Sequence, residues 1–389
     1  MPKLLKLRTT YRIISTIALL LSVIAIPEVI AGCNSQNRVA DRIAQDAQDT
    51  DNFETNFSFN DVTLEDFNPK GELWWRVKAI RANYNKDKKL ARVQQPNGEF
   101  YQDGKLIIRA TAENGEVQQN GKNIFLRGKI VATDVRDGMV LKGNELEWRP
   151  KEELLLIRDN VTGTRKEVDA SANAGRYLTR KRELTLDGKV AANVKAPRLL
   201  INTEQLVWLV SQQKLISDRP LTMDRYKSKD DKTVTDQATA NRGSMDLNTE
   251  TVTIAQNARL VMTKPPLNVA GNEVSWNLKS QMITSSQPIE IINRDQQVTL
   301  NGNRGELDLK TQIFYLFGNV RGYGARNGAR LQADRLKWND PTQQFEAEGN
   351  VTYSQAKPPF STAGPKAAGK MSDQVVVVSG GRVVSEFVP

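Results

Sequence analysis

GELDLKTQIFYLFGNV, Gly305 to Val320, and LKWNDPTQQFEAEGNV, Leu336 to Val351, share one ending, and their final valines are 31 residues apart. Each reads as a short strand, a polar turn and a second strand. Alternation such as Leu336-Lys337-Trp338 places apolar side chains on one face, the pattern of a half-buried strand. Stepping backwards by similar distances reaches Ile289, Leu260, Leu221, Val190, Val161 and Ile130, all aliphatic. The one long step, between Leu221 and Leu260, contains the polar insert KSKDDK and reads as an extended loop.

The register tests itself. Six residues before these positions stand Ile124, Leu155, Leu184, Leu215, Ile254, Ile283, Phe314 and Phe345. Thirteen before stand Val117, Trp148, Tyr177, Trp208, Leu247, Trp276, Leu307 and Trp338. In a chain that is 39% hydrophobic, an apolar side chain at every one of these positions marks a genuine repeat. Gly and Asn ahead of the closing aliphatic suit a bend or bulge. No helical period is found beyond the N-terminal segment. The expectation is an all-β fold, an elongated β-jellyroll of about sixteen or more stacked antiparallel strands.

A second period overlies the first. Trp148, Trp208, Trp276 and Trp338 occupy alternate repeats, with Leu146, Leu206, Val274 and Leu336 two residues earlier. The other repeats carry Gly115, Gly175, Met245 and Gly305 at that earlier position. Bulk on one layer nesting over space on the next is ordinary core packing. The alternative is that the aromatic side chains line an apolar interior that is partly open.

The ends differ from the repeat. Val62, Leu64 and Phe67 suggest one strand and Leu73 to Val77 another, across a turn at Asn68-Pro69-Lys70-Gly71. Residues 57–110 form an atypical cap and 111–355 the repeated part. Within 356–389, AKPPFSTAGPKAAGK reads as irregular chain, followed by a closing hairpin over Val375 to Val384.

The N-terminal segment carries Lys3, Lys6, Arg8 and Arg12, an apolar run from Ile13 to Ile26, and then Ile30-Ala31-Gly32-Cys33. A basic start, a short apolar stretch and small residues before a cleavage point describe an export signal. An aliphatic residue, two small ones and Cys also resemble a lipoprotein signal, with Cys33 the lipid-attachment residue. An uncleaved membrane anchor and plain secretion are the other readings. Residues 1–33 are thus a signal or anchor, and 34–56 a polar linker. All three readings export the remainder.

Composition excludes much chemistry. The 389 residues contain one Cys and no His, so Ser-His-Asp triads, Cys-His pairs and His-bound zinc are impossible. Removing residues 1–32 takes away four basic residues and one acidic one, lowering the formal charge from +10 to +7. That charge is spread along the chain, without the basic stripe and interleaved aromatics of a nucleic-acid surface. Gly322 to Gly328 has the wrong spacing for a dinucleotide loop and reads as a strand turn. Neither an enzyme nor a cofactor or metal site is expected.

DVTLEDFNPKGELWWRVKAIRANYNKDKKLARVQQPNGEFY, Asp61 to Tyr101, resembles the start of the periplasmic domain of the LptC family of lipopolysaccharide-export proteins. The repeats ending in Gly-Asn-Val are similar to the OstA-like β-jellyroll units that LptC shares with LptA and LptD. The length resembles that of extended, cyanobacterial-type members. The resemblance implies a periplasmic protein anchored to the inner membrane that accepts lipopolysaccharide from the LptB, LptF and LptG ABC transporter. It would pass the glycolipid along an apolar groove towards LptA or LptD, joined to them by β-strand addition. The candidate groove residues are Val117, Trp148, Tyr177, Trp208, Leu247, Trp276, Leu307, Trp338, Ile124, Leu155, Phe314 and Phe345. On this reading Phe57 to Val77 faces the transporter and Val375 to Val384 the distal partner. The competing reading is a structural or adhesive β-repeat scaffold that moves no lipid.

Overall fold

The computed structural model describes residues 57–86, 89–118, 123–228, 232–356, 359–370 and 375–386. The signal or anchor segment with Cys33 and the polar linker lie outside the described residues. Twenty-eight strands, from Phe57–Phe67 to Val384–Glu386, form one antiparallel array in which each course pairs with the next along the chain. Among the described residues the two remaining elements are single 3-10 turns, Pro150–Glu152 and Val210–Gln212. The expected elongated β-jellyroll is what the chain forms.

The strands are longer than the repeat suggested, because Gly-Asn-Val lies in mid-strand. Ile313–Gly324 runs straight through Val320, and Gln344–Ala356 through Val351. Gly318 and Asn319 both have positive φ, 72° and 49°, and so do Gly349 and Asn350, 77° and 49°. Two consecutive left-handed residues insert one extra residue and bend the course. The ladder moves from Phe317↔Arg335 to Val320↔Ala333, three steps on one strand against two on the other. Gly adopts this conformation without strain, and Asn tolerates it better than most residues. Left-handed pairs recur in Ile124–Asp134, Leu154–Thr164, Glu183–Val194 and Thr251–Met262, and the array bends at this level into two facing half-sheets.

Some courses break at the kink instead. Ser217-Asp218-Arg219-Pro220 separates Lys214–Ser217 from Leu221–Tyr226, and Ser285-Ser286-Gln287-Pro288 separates Met282–Ser285 from Ile289–Asn293. In both, the serine hydroxyl accepts the N–H two residues on, from Arg219 at 3.2 Å and Gln287 at 3.2 Å. That bond replaces a ladder contact the proline region cannot make. Among the described residues seven courses are interrupted, two of them with this serine bond, so fourteen of the 28 strands are halves of longer courses.

The cap folds as read, with Phe57–Phe67 and Leu73–Tyr84 paired across the Asn68 turn. The tail does not. Pro359–Lys370 is a full strand, in register with Gln344–Ala356 from Ala356↔Pro359 to Gln344↔Lys370. Its composition argued for irregular chain, but the neighbouring strand offers a continuous row of backbone partners. Pro365 falls at the register shift between Lys366 and Gly364, where its missing N–H is tolerated. Nor is there a closing hairpin: Val375–Ser379 and Val384–Glu386 both pair with Pro359–Lys370 and are two pieces of one course.

Candidate functional site

The two apolar columns of the sequence prove to be one row. Across the array, direct ladder partners in turn are Tyr84, Ala91, Val117, Ile124, Trp148, Leu155, Tyr177, Leu184 and Trp208. The row continues through Leu215, Met245, Val252, Trp276, Ile283, Leu307, Phe314, Trp338 and Phe345. One residue comes from each course, and every one is buried. Eleven of the twelve candidate groove residues lie on this row.

Leu247 does not. It lies just beyond the strand Arg242–Asp246 and is half-buried, while Met245 holds its expected place on the row. Ile254 is displaced likewise, pairing with Gly243, and Val252 takes its position. The kink in this repeat is Gln256-Asn257-Ala258, with φ of 61° at both Gln256 and Asn257. Ala258, not Leu260, is therefore the residue that follows the bend. The correction sharpens the alternation seen two residues earlier, because Gly243 replaces Met245 there and all four small positions become glycine.

These glycines are sites of close approach. A β-carbon on Gly305 would stand 2.9 Å from Ile289 Cγ2 and 3.0 Å from Leu316 Cδ2. On Gly115 it would stand 2.9 Å from Leu126 Cδ2. Leucine and isoleucine branches from adjoining courses occupy the glycine space, so the interior is packed to ordinary protein density at these levels.

The row faces the other half-sheet with a constant offset. Trp148 stacks on Phe100, ring centroids 5.0 Å apart and planes at 13°. Phe100 belongs to the facing half of a course three back. Tyr177 donates its hydroxyl to Asp134 Oδ2 at 2.6 Å, again three courses back. Arg225 lies over the Trp276 ring at 5.3 Å, and Asn293 Nδ2 donates to both oxygens of Asp340 at 2.9 Å, each with the same offset. A β-carbon on Gly163 would stand 3.7 Å from the Trp208 ring, also three courses away.

Polar contacts of this kind join the strand ends opposite the kinks and hold the two half-sheets together. Burial opposes ionisation of Asp134, but the Arg136 and Tyr177 hydrogen bonds prevail and keep its carboxyl below the usual range. Burial, and then the Asp134 charge, push the Tyr177 phenol well above its ordinary value. Among the described residues, the donors to the Asp340 carboxyl are neutral, Trp338 Nε1 and Asn293 Nδ2. Burial outweighs them and raises its pKa. Asp236 is raised for the same reason, although Thr235 and Arg225 partly offset burial.

Sequence reading did not find this set of closing contacts. Tyr177 and Asp134 lie 43 residues apart in the chain and Asn293 and Asp340 47, and no short motif joins either pair. A surface cleft of about 600 Å³, lined by Glu290, Asn301, Asn303, Asn319 and Arg321, lies on the kink side rather than along the row.

Comparison with protein families matches residues 20–194 and 225–326 to Lipopolysaccharide-assembly, LptC-related. The chain belongs to the LptC-related family. Membership implies involvement in lipopolysaccharide export, a transport role and not one known as enzymatic. The matched residues of this LptC-related chain span the cap and most of the kinked courses, so the row from Tyr84 to Leu307 lies largely within the family region. No curated protein matches the chain. Among the described residues, no helix is long and apolar enough to cross a membrane.

Proposed function

We propose that this LptC-related chain is an anchored periplasmic segment of the export route, receiving lipopolysaccharide from the LptB, LptF and LptG transporter and conducting its acyl chains between the two half-sheets towards LptA or LptD. The supporting observation is the unbroken apolar row, one buried side chain per course from Tyr84 to Phe345. At about 4.8 Å per strand, that row covers on the order of 80 Å.

Exposure of an acyl chain to water costs about 0.8 kcal/mol per methylene, so a multi-chain glycolipid needs shelter at every step. The half-sheets are joined covalently on the kink side only. On the other side the contacts that hold them include Asp134–Tyr177, Asp103–Arg180, Asp137–Arg182, Arg225–Trp276 and Asn293–Asp340. Release of these contacts lets the halves part like the covers of a book, and acyl chains then replace side-chain contacts along the row. Among the described residues, Phe57–Phe67 pairs on one side only, as does the course of Val375–Ser379 and Val384–Glu386. Such edges suit strand addition to the transporter at one end and to the distal partner at the other. On this reading residues 1–33 supply the inner-membrane attachment, through Cys33 or as an uncleaved anchor.

The packed interior is the observation that favours the scaffold reading, and one experiment separates the two. A photo-crosslinking residue at Trp208 or Trp276 is introduced into the full chain, expressed with its transporter, with exposed Tyr315 as the control position. Lipopolysaccharide adducts at the row positions and none at Tyr315 support conduction. Folded protein that stays free of adducts at both row positions leaves the scaffold reading standing.

A further inference from the structure

Three of the four row tryptophans carry a buried donor that the protein leaves without an acceptor. Among the described residues, Trp148 Nε1, Trp208 Nε1 and Trp276 Nε1 have no hydrogen-bond partner, although their residues are 1%, 0% and 4% exposed. The fourth differs, since Trp338 Nε1 donates to Asp340 Oδ1 at 2.9 Å.

The contrast has a local cause. Asp340 stands two residues after Trp338. The same position after Trp148 is Pro150, after Trp208 Val210 and after Trp276 Leu278, all buried and none with a side-chain acceptor. An unsatisfied buried donor is costly and uncommon, so each one calls for a reason. Packing does not supply it. Intervening courses fill the same row with Val117, Met245 and Leu307, which carry no donor. The three indoles also lie between the half-sheets, against Phe100, Gly163 and Arg225 of the facing half. Successive tryptophans are four courses apart, about 19 Å at ordinary strand spacing.

We propose that Trp148, Trp208 and Trp276 are hydrogen-bonding stations for the ester, amide or hydroxyl oxygens of acyl chains held between the half-sheets. The inference rests on the lipid-conducting reading above and names the chemistry by which the slot grips its guest. A purely hydrocarbon wall offers no preferred position along its length. A regularly spaced donor stabilises the guest wherever an acyl oxygen meets it, and sets the step of its movement. Trp338 is excluded because Asp340 already takes its N–H.

The test uses the full chain with 15N-labelled indoles. Purified lipopolysaccharide is added in one arm and, in the other, an alkyl phosphocholine whose chain bears no carbonyl or hydroxyl oxygen. Lipopolysaccharide is expected to shift the indole N–H resonances of Trp148, Trp208 and Trp276 in the hydrogen-bonded direction while leaving Trp338 in place. The alkyl compound is expected to produce no such hydrogen-bonding shift. Trp148→Phe, Trp208→Phe and Trp276→Phe should each weaken lipopolysaccharide binding between about twofold and tenfold, measured well below the melting temperature, which the lost core volume also lowers. Tyr315→Phe, at an exposed position off the row, should leave affinity unchanged. Lipopolysaccharide binding with unshifted indoles, or equal affinity in all four variants, overturns the stations and leaves conduction intact. Failure of the unaltered chain to bind lipopolysaccharide overturns both.

Discussion

Tyr177 and Asp134, 43 residues apart in the chain, meet through a buried 2.6 Å hydrogen bond that ties one half-sheet to the other. Arg136 completes the group, with Nε 2.9 Å from Asp134 Oδ1. Tyr177→Phe keeps the ring and removes only the donor, so a destabilisation of about 1–2 kcal/mol is expected by denaturant titration. An unchanged midpoint would show that the contact does not hold the halves together.

The same group predicts a pH dependence. Asp134 has a folded pKa below its unfolded value. Its contribution is therefore fully present above the ordinary carboxylate range and is lost as pH falls through the depressed folded value. Asp134→Asn should abolish that part of the acid-limb slope in melting temperature against pH. Asp340 runs the other way, because its pKa is raised. Stability falls as pH rises from the ordinary carboxylate value through the raised one, and Asp340→Asn should flatten that fall.

The corrected register is testable with a pair of substitutions. Met245 is fully buried on the row, so Met245→Ala should cost about 2–5 kcal/mol. Leu247 lies outside the strand and is half-buried, and Leu247→Ala should cost clearly less. Equal losses, measured by chemical unfolding, would restore the register first read from the sequence.

Gly305 has no room for a methyl group. Gly305→Ala drives a β-carbon against Ile289 and Leu316, and overpacking of this kind costs about 1–3 kcal/mol. The double variant Gly305→Ala with Leu316→Val removes one of the opposing methyl groups and should recover part of the loss. Calorimetry on the two variants checks both statements.

The bends are a further target. Lys189 holds a left-handed conformation, φ 50°, that lysine adopts at some cost. Lys189→Asn should raise stability by roughly 0.5–1 kcal/mol. Asn319→Val, at φ 49°, should lower it by about 1–2 kcal/mol. A neutral result at both positions would mean that bend geometry contributes little to the fold.

The repeat and its buried row were legible because side-chain periodicity is local: Trp338 and Phe345 face each other across one short turn. Continuation of Ile313–Gly324 past Val320 was not, since Gly318-Asn319 has the composition of a strand end and only the ladder beyond it shows a bend. The Gln256-Asn257-Ala258 kink lacks glycine, and the more aliphatic Leu260 fits the side-chain pattern, so the sequence alone points past the bend. The matched Ser217–Pro220 and Ser285–Pro288 stretches were a visible sign of the interrupted courses. Asp134 with Tyr177, and Asn293 with Asp340, had no comparable sign, because the stagger of the two half-sheets decides which strand ends meet.

That stagger also dictates how the stack terminates. If every half-sheet faces a neighbour three courses behind, the described array closes at neither extremity with a flush surface. It ends in steps, with one half overhanging at the front and the opposite half at the back. The two steps are mutually complementary, as cohesive ends are. A second jellyroll of the same hand that adds its edge strand would thus bring the missing facing halves with it, so backbone pairing and roofing of the slot would be achieved in a single docking event.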